Sequence, residues 1–538
     1  MLDRRDFIRI VVTGSLGVTA CRAPGGGAGA SGAGADAGAG GGAGAAATAD
    51  AAAATPGTVP PATGLSRETL AICHAVRDGE TFRMPVPSRH LPVVIVGGGA
   101  AGLFAARELG DRPFLLLEKE AEVGGNATGG SWRGVGYSSG TSYNNDTGIQ
   151  AIAADLGVPL RSIDSVDGLI VGDQFIPEFL TTGLDRSPFP PAVRDGFRRF
   201  FATYRDYDVD REVERLDNLP LDAILKDYPR ELRDFLDAFG PNSWGGRVAD
   251  TSAYVGIQGA SWVGGIEPAR YTGDEGFGAL TRALAARLEA GAPGCIRRGA
   301  TVVRVQPDGG RILVAWLPGA EGAAPTAPDR VRLECVSADT VIVAASKFIA
   351  RHLVAGLPEE QREAMGRIRY IPYLVTNLCF DGVVHDACFD TNVIASPIIS
   401  DVVCADWPRL RGRGPADRPT VLSCYMPLTE ADRAAMLDEA EARRLALLAL
   451  EAVDRWFPGA AGRCREIRAH LRGHPMHLSA CGMITRWGPR ASRSLGAIHF
   501  AGTDGVGAVS DMATSLSSAR VAARAAIASL DAAARARG

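Results

Sequence analysis

The sequence has almost no net charge and few of the residues that build metal or disulfide sites. Its 57 Lys and Arg against 61 Asp and Glu give a formal net charge of −4, so charge makes no case for nucleic acid as a partner. Its eight histidines show no metal-like spacing, and we expect no structural metal. None of the ten cysteines forms a C-x-x-C pair, which predicts buried free thiols.

Long apolar runs are also missing, and only glycine, with 66 residues, departs from ordinary globular usage. Hydrophobic residues make up 46% of the 538 positions and aromatic residues 7%. This composition excludes a collagen, a disordered polymer, a disulfide miniprotein and a polytopic membrane protein. The length is enough for two or three ordinary domains.

The first residues are typical of an export signal. Asp3-Arg4-Arg5-Asp6-Phe7 resembles the twin-arginine motif, and the apolar stretch after it is too short to span a bilayer. That stretch ends Val18-Thr19-Ala20-Cys21, which is similar to a bacterial lipobox, where the cysteine is acylated. We expect residues 1–21 to export the protein to the periplasm or cell surface and to anchor it through acyl chains on Cys21. A basic start to a buried helix and an unmodified cysteine are the alternatives.

Residues 22–64 consist almost wholly of Gly, Ala, Thr and Pro and predict a disordered tether. Gly27-Ala28-Gly29-Ala30-Ser31-Gly32 matches the G-x-G-x-x-G pattern there. No strand precedes it and no amphipathic helix follows it, so the match is compositional.

A second glycine motif has the context that the first one lacks. The β-branched run Leu91–Val96 predicts a buried strand, Gly97-Gly98-Gly99-Ala100-Ala101-Gly102 follows at once, and Leu103–Leu109 predicts a helix. The glycines allow a tight turn and a close approach of pyrophosphate to the helix N-terminus. The next strand, Phe114–Leu117, ends in Glu118, which is placed to bind ribose hydroxyls. This order predicts a dinucleotide site.

The residues that follow Glu118, and the C-terminal end of the chain, indicate FAD rather than NAD. Glu118 to Asn126, with its Gly-Gly pair, resembles the flavoprotein version of the motif. Phe500-Ala501-Gly502-Thr503-Asp504, followed by a helix with Met512 in its first turn, resembles the closing motif of the flavin-containing amine oxidases. The chain from about residue 91 to 530 is therefore similar to the amine oxidase and phytoene desaturase superfamily.

That resemblance implies FAD as cofactor and a set of cofactor-binding residues. These residues are Gly97, Gly99, Ala101, Gly102, Glu118, Lys119, Gly125, Asn126, Val303, Gly502, Asp504 and Met512.

The resemblance also implies an α/β fold, in which a Rossmann-type, glutathione-reductase-like FAD domain is interleaved with an α+β substrate domain. We predict the FAD domain over 65–150, 276–364 and 476–538, and the substrate domain over 151–275 and 365–475.

Candidate catalytic residues are fewer, because hydride transfer to flavin needs no protein nucleophile. His474, His477 and Asp511 are the candidates for substrate contact, with a hydrogen-bonded structural role or a helix N-cap as their alternatives. Many amine oxidases place a lysine near the flavin. The three lysines here are Lys119, Lys226 and Lys347, and a gap-free comparison aligns the family position with Arg351-His352 instead.

The predicted function is oxidation of an amine or amino acid by hydride transfer to flavin N5, with oxygen or a respiratory carrier as electron acceptor. A desaturase or isomerase of an apolar, lipid-like substrate is the enzyme alternative, and an apolar tunnel would favour it. The other alternative is not an enzyme: it is a surface lipoprotein that binds flavin without turnover.

Overall fold

The computed structural model describes residues 62–68, 70–263, 269–319, 332–394, 396, 398–505 and 507–537. The predicted signal, Cys21 and the predicted tether as far as residue 61 lie outside the described residues. The nine cysteines within them are all free, and seven are buried, as the sequence predicted.

The strands are numbered here in chain order. They are β1 (Ala62–Arg67), β2 (His90–Val96), β3 (Phe114–Leu117), β4 (Gly129–Trp132), β5 (Val135–Ser138), β6 (Arg161–Ile163), β7 (Gly168–Val171), β8 (Gln174–Ile176), β9 (Arg270–Thr272), β10 (Asp274–Phe277), β11 (Ile296–Arg297), β12 (Ala300–Asp308), β13 (Arg311–Pro318), β14 (Glu334–Val343), β15 (Tyr370–Phe380), β16 (Asp390–Ile394), β17 (Asp401–Cys404), β18 (Thr420–Pro427), β19 (Cys464–His477) and β20 (Ile498–Phe500).

Helices of seven residues or more are numbered in the same way. They are α1 (Ala71–Arg77), α2 (Ala100–Glu108), α3 (Thr147–Asp155), α4 (Pro191–Tyr204), α5 (Arg230–Trp244), α6 (Ala253–Val263), α7 (Gly278–Gly291), α8 (Lys347–Leu353), α9 (Glu359–Arg367), α10 (Glu439–Trp456) and α11 (Met512–Arg537).

The first of two large sheets carries the glycine motif. Its order is β11-β3-β2-β14-β13-β12, and β20 also pairs with β14. Strands β11, β3, β2, β14 and β20 are mutually parallel, whereas β12 and β13 form an antiparallel hairpin. Strand β3 and the second half of β2 are wholly apolar because they are buried on both faces.

Two helices from opposite ends of the chain pack together against this sheet. Leu103 and Phe104 of α2 share one buried cluster with Leu516, Ala519 and Ala523 of α11. The small alanine side chains of α11 let the two helix backbones approach closely. The closing motif of the sequence is thereby placed beside the glycine turn that begins α2.

The second sheet is mixed and has the order β1-β19-β15-β18-β17-β16-β7-β8. Helix α10 packs on it, because Leu445, Ala449 and Val453 belong to the same apolar cluster as its strands. A separate cluster, built around Phe197, Phe200 and other aromatic residues of α4–α6, lies against β7 and β8. The two sheets together give the predicted α/β fold of a dinucleotide domain interleaved with an α+β domain.

Strand β1 differs from the predicted boundaries. Residues 62–64 were predicted to end the tether, and 65–67 to begin the FAD domain. Instead, Ala62–Arg67 forms an edge strand of the second sheet, parallel to β19. The reason is Leu65, which packs against the apolar core of that sheet and stabilises an edge strand that the surrounding composition does not suggest.

Among the described residues, no helix is long and apolar enough to cross a membrane.

Candidate functional site

A cavity of about 300 Å³ lies where the parallel strands β2, β3 and β14 end. Residues from the turn after each of these strands line it, together with the start of α11. Ligands of open α/β sheets bind at the carboxyl ends of the strands, because the loops and helix N-termini there leave backbone groups free. We call this space the cofactor cavity.

The glycine turn that begins at Gly97 leaves no room for a side chain at Gly97 or Gly102. Gly97 has φ +104°, and a Cβ there would lie 2.8 Å from the Ala344 carbonyl oxygen. A Cβ at Gly102 would lie 1.9 Å from the Gly97 oxygen, so α2 packs directly on the turn. Gly99 precedes the first residue of α2 and supplies no side-chain cap. The first N–H groups of α2 therefore stay available to an anionic ligand.

Glu118 closes the same cavity from the end of β3. Its Oε2 accepts a hydrogen bond from the Gly98 N–H at 2.5 Å, and its Oε1 accepts one from the Glu120 N–H at 2.9 Å. Burial raises the pKa of the Glu118 carboxyl, while the two backbone donors act in the opposite direction. Each carboxylate oxygen keeps a second lone pair, so Glu118 can still accept hydrogen bonds from a ribose.

The closing motif contributes a fully buried ion pair. Asp504 Oδ1 lies 2.9 Å from Lys347 Nζ, while its Oδ2 accepts hydrogen bonds from the Lys347 N–H at 2.7 Å and the Tyr370 hydroxyl at 2.5 Å. Burial alone would raise the pKa of Asp504, but the lysine and these donors hold it below its usual value. Asp504 is therefore an anion fixed by three donors.

The structure brings ten of the twelve predicted cofactor residues to this cavity. They are Gly97, Gly99, Ala101, Glu118, Lys119, Gly125, Asn126, Gly502, Asp504 and Met512. Gly102 lies behind the turn, where it permits the helix packing described above. Val303 does not line the cavity either. It belongs to an apolar cluster with Ile72 and Val76 of α1, while its neighbours Thr301 and Val302 line the cavity.

The three predicted catalytic residues also line the cofactor cavity. His474 stacks on Phe348 with ring centroids 4.1 Å apart, and His477 Nδ1 lies 2.8 Å from Ser510 Oγ. Burial lowers the pKa of His474 to about 3 and that of His477 to about 4, so both imidazoles are neutral at neutral pH. Asp511 accepts a hydrogen bond from the Thr514 N–H at 2.7 Å and so caps α11.

A second cavity, of about 490 Å³, adjoins the first. We call it the substrate cavity. Six residues line both cavities and mark the junction between them: Asn126, Thr141, Arg472, Pro475, Ser510 and Asp511.

One row of side chains across the second sheet forms a wall of the substrate cavity. The strand register places its five members directly opposite one another on β19, β15, β18, β17 and β16. In that order the row is His470, Val375, Tyr425, Asp401 and Asn392, and every member lines the cavity.

Sequence reasoning did not find several residues of these cavities. Tyr370 was not a predicted site residue, and Asp390 and Asp401 were not singled out at all. Lys347, the partner of Asp504, lines neither cavity and was not predicted either. An aspartate at either end of an otherwise apolar strand segment is a weak signal, since such residues usually begin or end strands at the surface. Tyr425 is 5% exposed yet borders the substrate cavity, and nothing in the sequence marks it as a site residue.

The residues of the cofactor cavity fit an FAD molecule. The glycine turn and the N-terminus of α2 fit a pyrophosphate, and Glu118 fits a ribose. Gly125 has φ +58°, and a Cβ there would lie 3.0 Å from the Gly99 Cα, so the backbone forms a narrow cradle. His477 and the start of α11 line the same space.

Comparison with solved structures gives the same fold. Cyclohexylamine oxidase from Brevibacterium oxydans IH-35A superposes with a TM-score of 0.61 at 15% identity, over 82% of this chain and 99% of that one. Putrescine oxidase bound to putrescine superposes with a TM-score of 0.61 at 16% identity, over 82% and 99% of the two chains.

A curated relative matches only locally. Thiamine thiazole synthase from Methanococcus aeolicus is 35% identical over 106 residues, which are 19% of this chain. The chain spans 37% of the length of that relative.

The match to a protein family is much longer. The family described as flavin containing amine oxidoreductase matches residues 100–527, from the helix after the glycine turn to the middle of α11. This match confirms the predicted cofactor, FAD, and the predicted class of oxidoreductase. The chain belongs to the flavin-containing amine oxidoreductase family, whose members are FAD-dependent enzymes.

Proposed function

We propose that this protein oxidises an amine or amino acid to the corresponding imine, with oxygen or a respiratory carrier as the final electron acceptor. The observation that carries the proposal is the junction of the two cavities. A donor molecule in the substrate cavity reaches the cofactor cavity past Arg472, Ser510 and Asp511, which border both. Bound FAD supplies the hydride acceptor.

The chain itself contributes position and electrostatics at the junction. Ser510 is held by His477, and Asp511 is held by the first turn of α11, so both side chains keep fixed directions. The neutral imidazoles of His474 and His477 add no positive charge that would repel a protonated amine. Arg472 donates a hydrogen bond to Thr128 Oγ1 at 2.7 Å, which holds its guanidinium at the rim. A fixed donor–acceptor geometry is the main contribution a protein makes to hydride transfer.

The lining of the substrate cavity supports an amine rather than an apolar lipid. Buried polar side chains line it, including Asp390, Asn392, Asp401, Tyr373 and Arg270. A hydrocarbon would offer no polar contact to the buried carboxyl groups of Asp390 and Asp401, which costs free energy. A small cationic substrate would be stabilised by the carboxyl groups.

The test is the visible spectrum of the purified full-length protein before and after anaerobic addition of amines and amino acids. A yellow protein that bleaches with one of these classes supports the proposal and identifies the donor class. A protein without a yellow chromophore contradicts it. A yellow protein that no amine or amino acid bleaches contradicts the substrate class and favours a lipid substrate or a role without turnover.

We also propose that residues 1–21 export the protein by the twin-arginine route and that Cys21 carries acyl chains. The twin-arginine system transports folded proteins, which suits a flavoprotein that must acquire FAD before export. Mass spectrometry of the N-terminal peptide from the membrane fraction tests this. A lipid-modified Cys21, and release of the Cys21→Ser variant from membranes, are the expected results. An unmodified Cys21 on a soluble, cytosolic protein contradicts the proposal.

A further inference from the structure

The first described segment of the chain contacts both halves of the fold. Strand β1 pairs with β19 of the second sheet, and Glu68 follows it. Helix α1 packs beside the first sheet, because its buried Ile72 and Val76 belong to one apolar cluster with Val303 of β12. We call β1, Glu68 and α1 together the N-terminal strap.

The strap borders the cofactor cavity between these two attachments. Glu68 and Cys73 line that cavity, and neither lines the substrate cavity. Burial raises the pKa of the Cys73 thiol, and the charge of the neighbouring Lys119 acts in the opposite direction. Lys119 directly follows Glu118, the residue that fits a ribose. Helix α1 therefore lies close to the ribose part of the cavity.

Glu68 links two elements that border the cavity. Its Oε2 accepts a hydrogen bond from the Gly473 N–H at 2.9 Å, on β19 and next to His474, which lines the cavity. Its charge also acts on Lys119, after β3. Burial acts to lower the pKa of this lysine, but the charges of Glu68 and Glu120 raise it above its usual value. Glu68 thus connects the second sheet with the ribose part of the cavity.

The strap contributes to the cofactor site from outside the segment that matches the family. That segment begins at residue 100, whereas the strap ends at Arg77. A ligand that fills the cavity therefore contacts both the matched segment and the strap. Its release past Glu68 and Cys73 requires the strap to move, and binding by the same path requires the same movement.

We propose that the N-terminal strap closes the cofactor cavity over bound FAD, so that FAD binds before the strap docks and leaves only after the strap detaches. Glu68 is a positioning residue, since it holds the strap to Gly473 and close to Lys119. The strap acts on the cofactor, so its role does not depend on which donor the enzyme oxidises.

The rate of FAD release from the full-length holoprotein tests this role. The protein is loaded with isotope-labelled FAD, mixed with an excess of unlabelled FAD, and desalted at intervals to measure the label that stays bound. Val76→Ala removes two buried methyl groups that attach α1. Because local detachment then costs less free energy, we expect release roughly tenfold faster than from the wild type.

Val453→Ala is the matched control. Val453 is buried on α10 in the core of the second sheet and lines neither cavity. The same truncation there should lower the stability of the protein without changing the release rate. Equal acceleration by both substitutions would indicate general destabilisation and overturn the proposal, as would an unchanged rate in Val76→Ala.

Glu68→Gln removes the charge close to Lys119 and keeps an oxygen that can accept the hydrogen bond from Gly473. We expect it to release FAD severalfold faster than the wild type does. Glu80→Gln is its control, since Glu80 is exposed and lines neither cavity. Release from both variants at the wild-type rate would contradict the role of Glu68.

A measurement on the wild-type protein needs no variant to fold. Hydrogen exchange is compared between the FAD-bound protein and the apoprotein, in peptides from β1 and α1 and in a control peptide from α10. Bound FAD should slow exchange in the strap more strongly than in α10. Equal exchange in the strap with and without FAD would overturn the proposal. Flavin that stays on the denatured chain would also overturn it, because a covalent bond would then retain the cofactor.

Discussion

Lys347 Nζ lies 2.9 Å from Asp504 Oδ1, and the two side chains are only 0% and 6% exposed. The pair joins the turn after β14 to the closing motif, two segments 157 residues apart in the chain. A sequence alignment would assign Asp504 to the cofactor alone. In the structure this carboxylate is also the partner of the sole buried lysine side chain among the described residues. The same carboxylate therefore belongs to the cofactor site and to the buried core of the domain.

Replacing Lys347 by Met should destabilise the protein strongly. The substitution leaves the Asp504 carboxylate buried with only neutral donors, and breaking a buried ion pair from one side costs about 3–5 kcal/mol. Urea unfolding followed by circular dichroism measures the loss. Lys226→Met is the control, because Lys226 is exposed and its removal should have little effect. The double variant Lys347→Met/Asp504→Asn should recover part of the stability. A single variant as stable as the wild type would show that Asp504 does not need the lysine.

Gly97→Ala should abolish flavin binding. Its φ of +104° is unfavourable for alanine, and the new Cβ would lie 2.8 Å from the Ala344 carbonyl oxygen, so the turn must move away from the cofactor cavity. Gly110→Ala is a matched control, since Gly110 also has a positive φ, +62°, but nothing lies within 4 Å of its Cβ position. The ratio of visible to ultraviolet absorbance of the purified proteins reports bound flavin. Equal loss in both variants would attribute the effect to backbone strain alone.

The cofactor half of this fold could be predicted because its signals are local. The strand, glycine turn, helix, strand and acid between Leu91 and Glu118 lie within thirty residues or so, and each has a distinct pattern. The observed strand Phe114–Leu117 has the predicted bounds. The closing motif was equally clear, since the N-cap predicted at Ser510 or Asp511 is observed at Asp511.

The substrate half could not be predicted in the same way because its chemistry comes from pairing between distant strands. The row from His470 to Asn392 exists only through the register of five strands. No local pattern specifies which residue of one strand lies opposite which residue of another. The strand at Ala62–Arg67 was missed for a related reason, since it pairs with β19, which is distant in the chain, and packs Leu65 against the core of that sheet.

The buried histidines should make the protein less stable as the pH falls from about 6.5 to 4. Burial lowers the pKa of His385, His470, His477 and His499 to about 4, whereas the unfolded chain titrates near pH 6.5. The unfolded state therefore binds more protons in this range, and stability is lost as the pH falls. Asp390 and Asp401 act in the opposite direction, so the effect of the histidines is measured as the difference in melting temperature between the wild type and a histidine variant, at intervals from pH 7.5 to pH 4.

His499 allows a direct test of whether buried histidines cause the acid sensitivity, because it lies outside both cavities. Its ring nitrogens are hydrogen-bonded to the hydroxyls of Ser494 and Ser529, at 2.7 and 3.0 Å. His499→Gln should lower stability at pH 7.5 and flatten the decline at acid pH, since one fewer imidazole must be kept neutral. A slope unchanged by His499→Gln would place the acid sensitivity elsewhere.

Removing the acidic charges of the substrate cavity should stabilise the protein at alkaline pH. The folded-state pKa of Asp401 is raised to about 7 and that of Asp390 well above its usual value, so both carboxyl groups stay protonated more readily in the folded state than in the unfolded chain. Their contribution to stability is complete below about pH 4 and is lost as the pH rises through the folded-state values.

Asn at either position is neutral at every pH. Asp390→Asn and Asp401→Asn should therefore unfold at the same temperature as the wild type near pH 4 and at a higher one at pH 8. The gain at pH 8 should be about 1–3 kcal/mol, typical of replacing a buried charge by a neutral group. A gain that is the same at both pH values would mean that folding does not raise the pKa of these carboxyl groups. A loss at pH 8 would mean that an internal partner already neutralises them, leaving no charge for a substrate to meet.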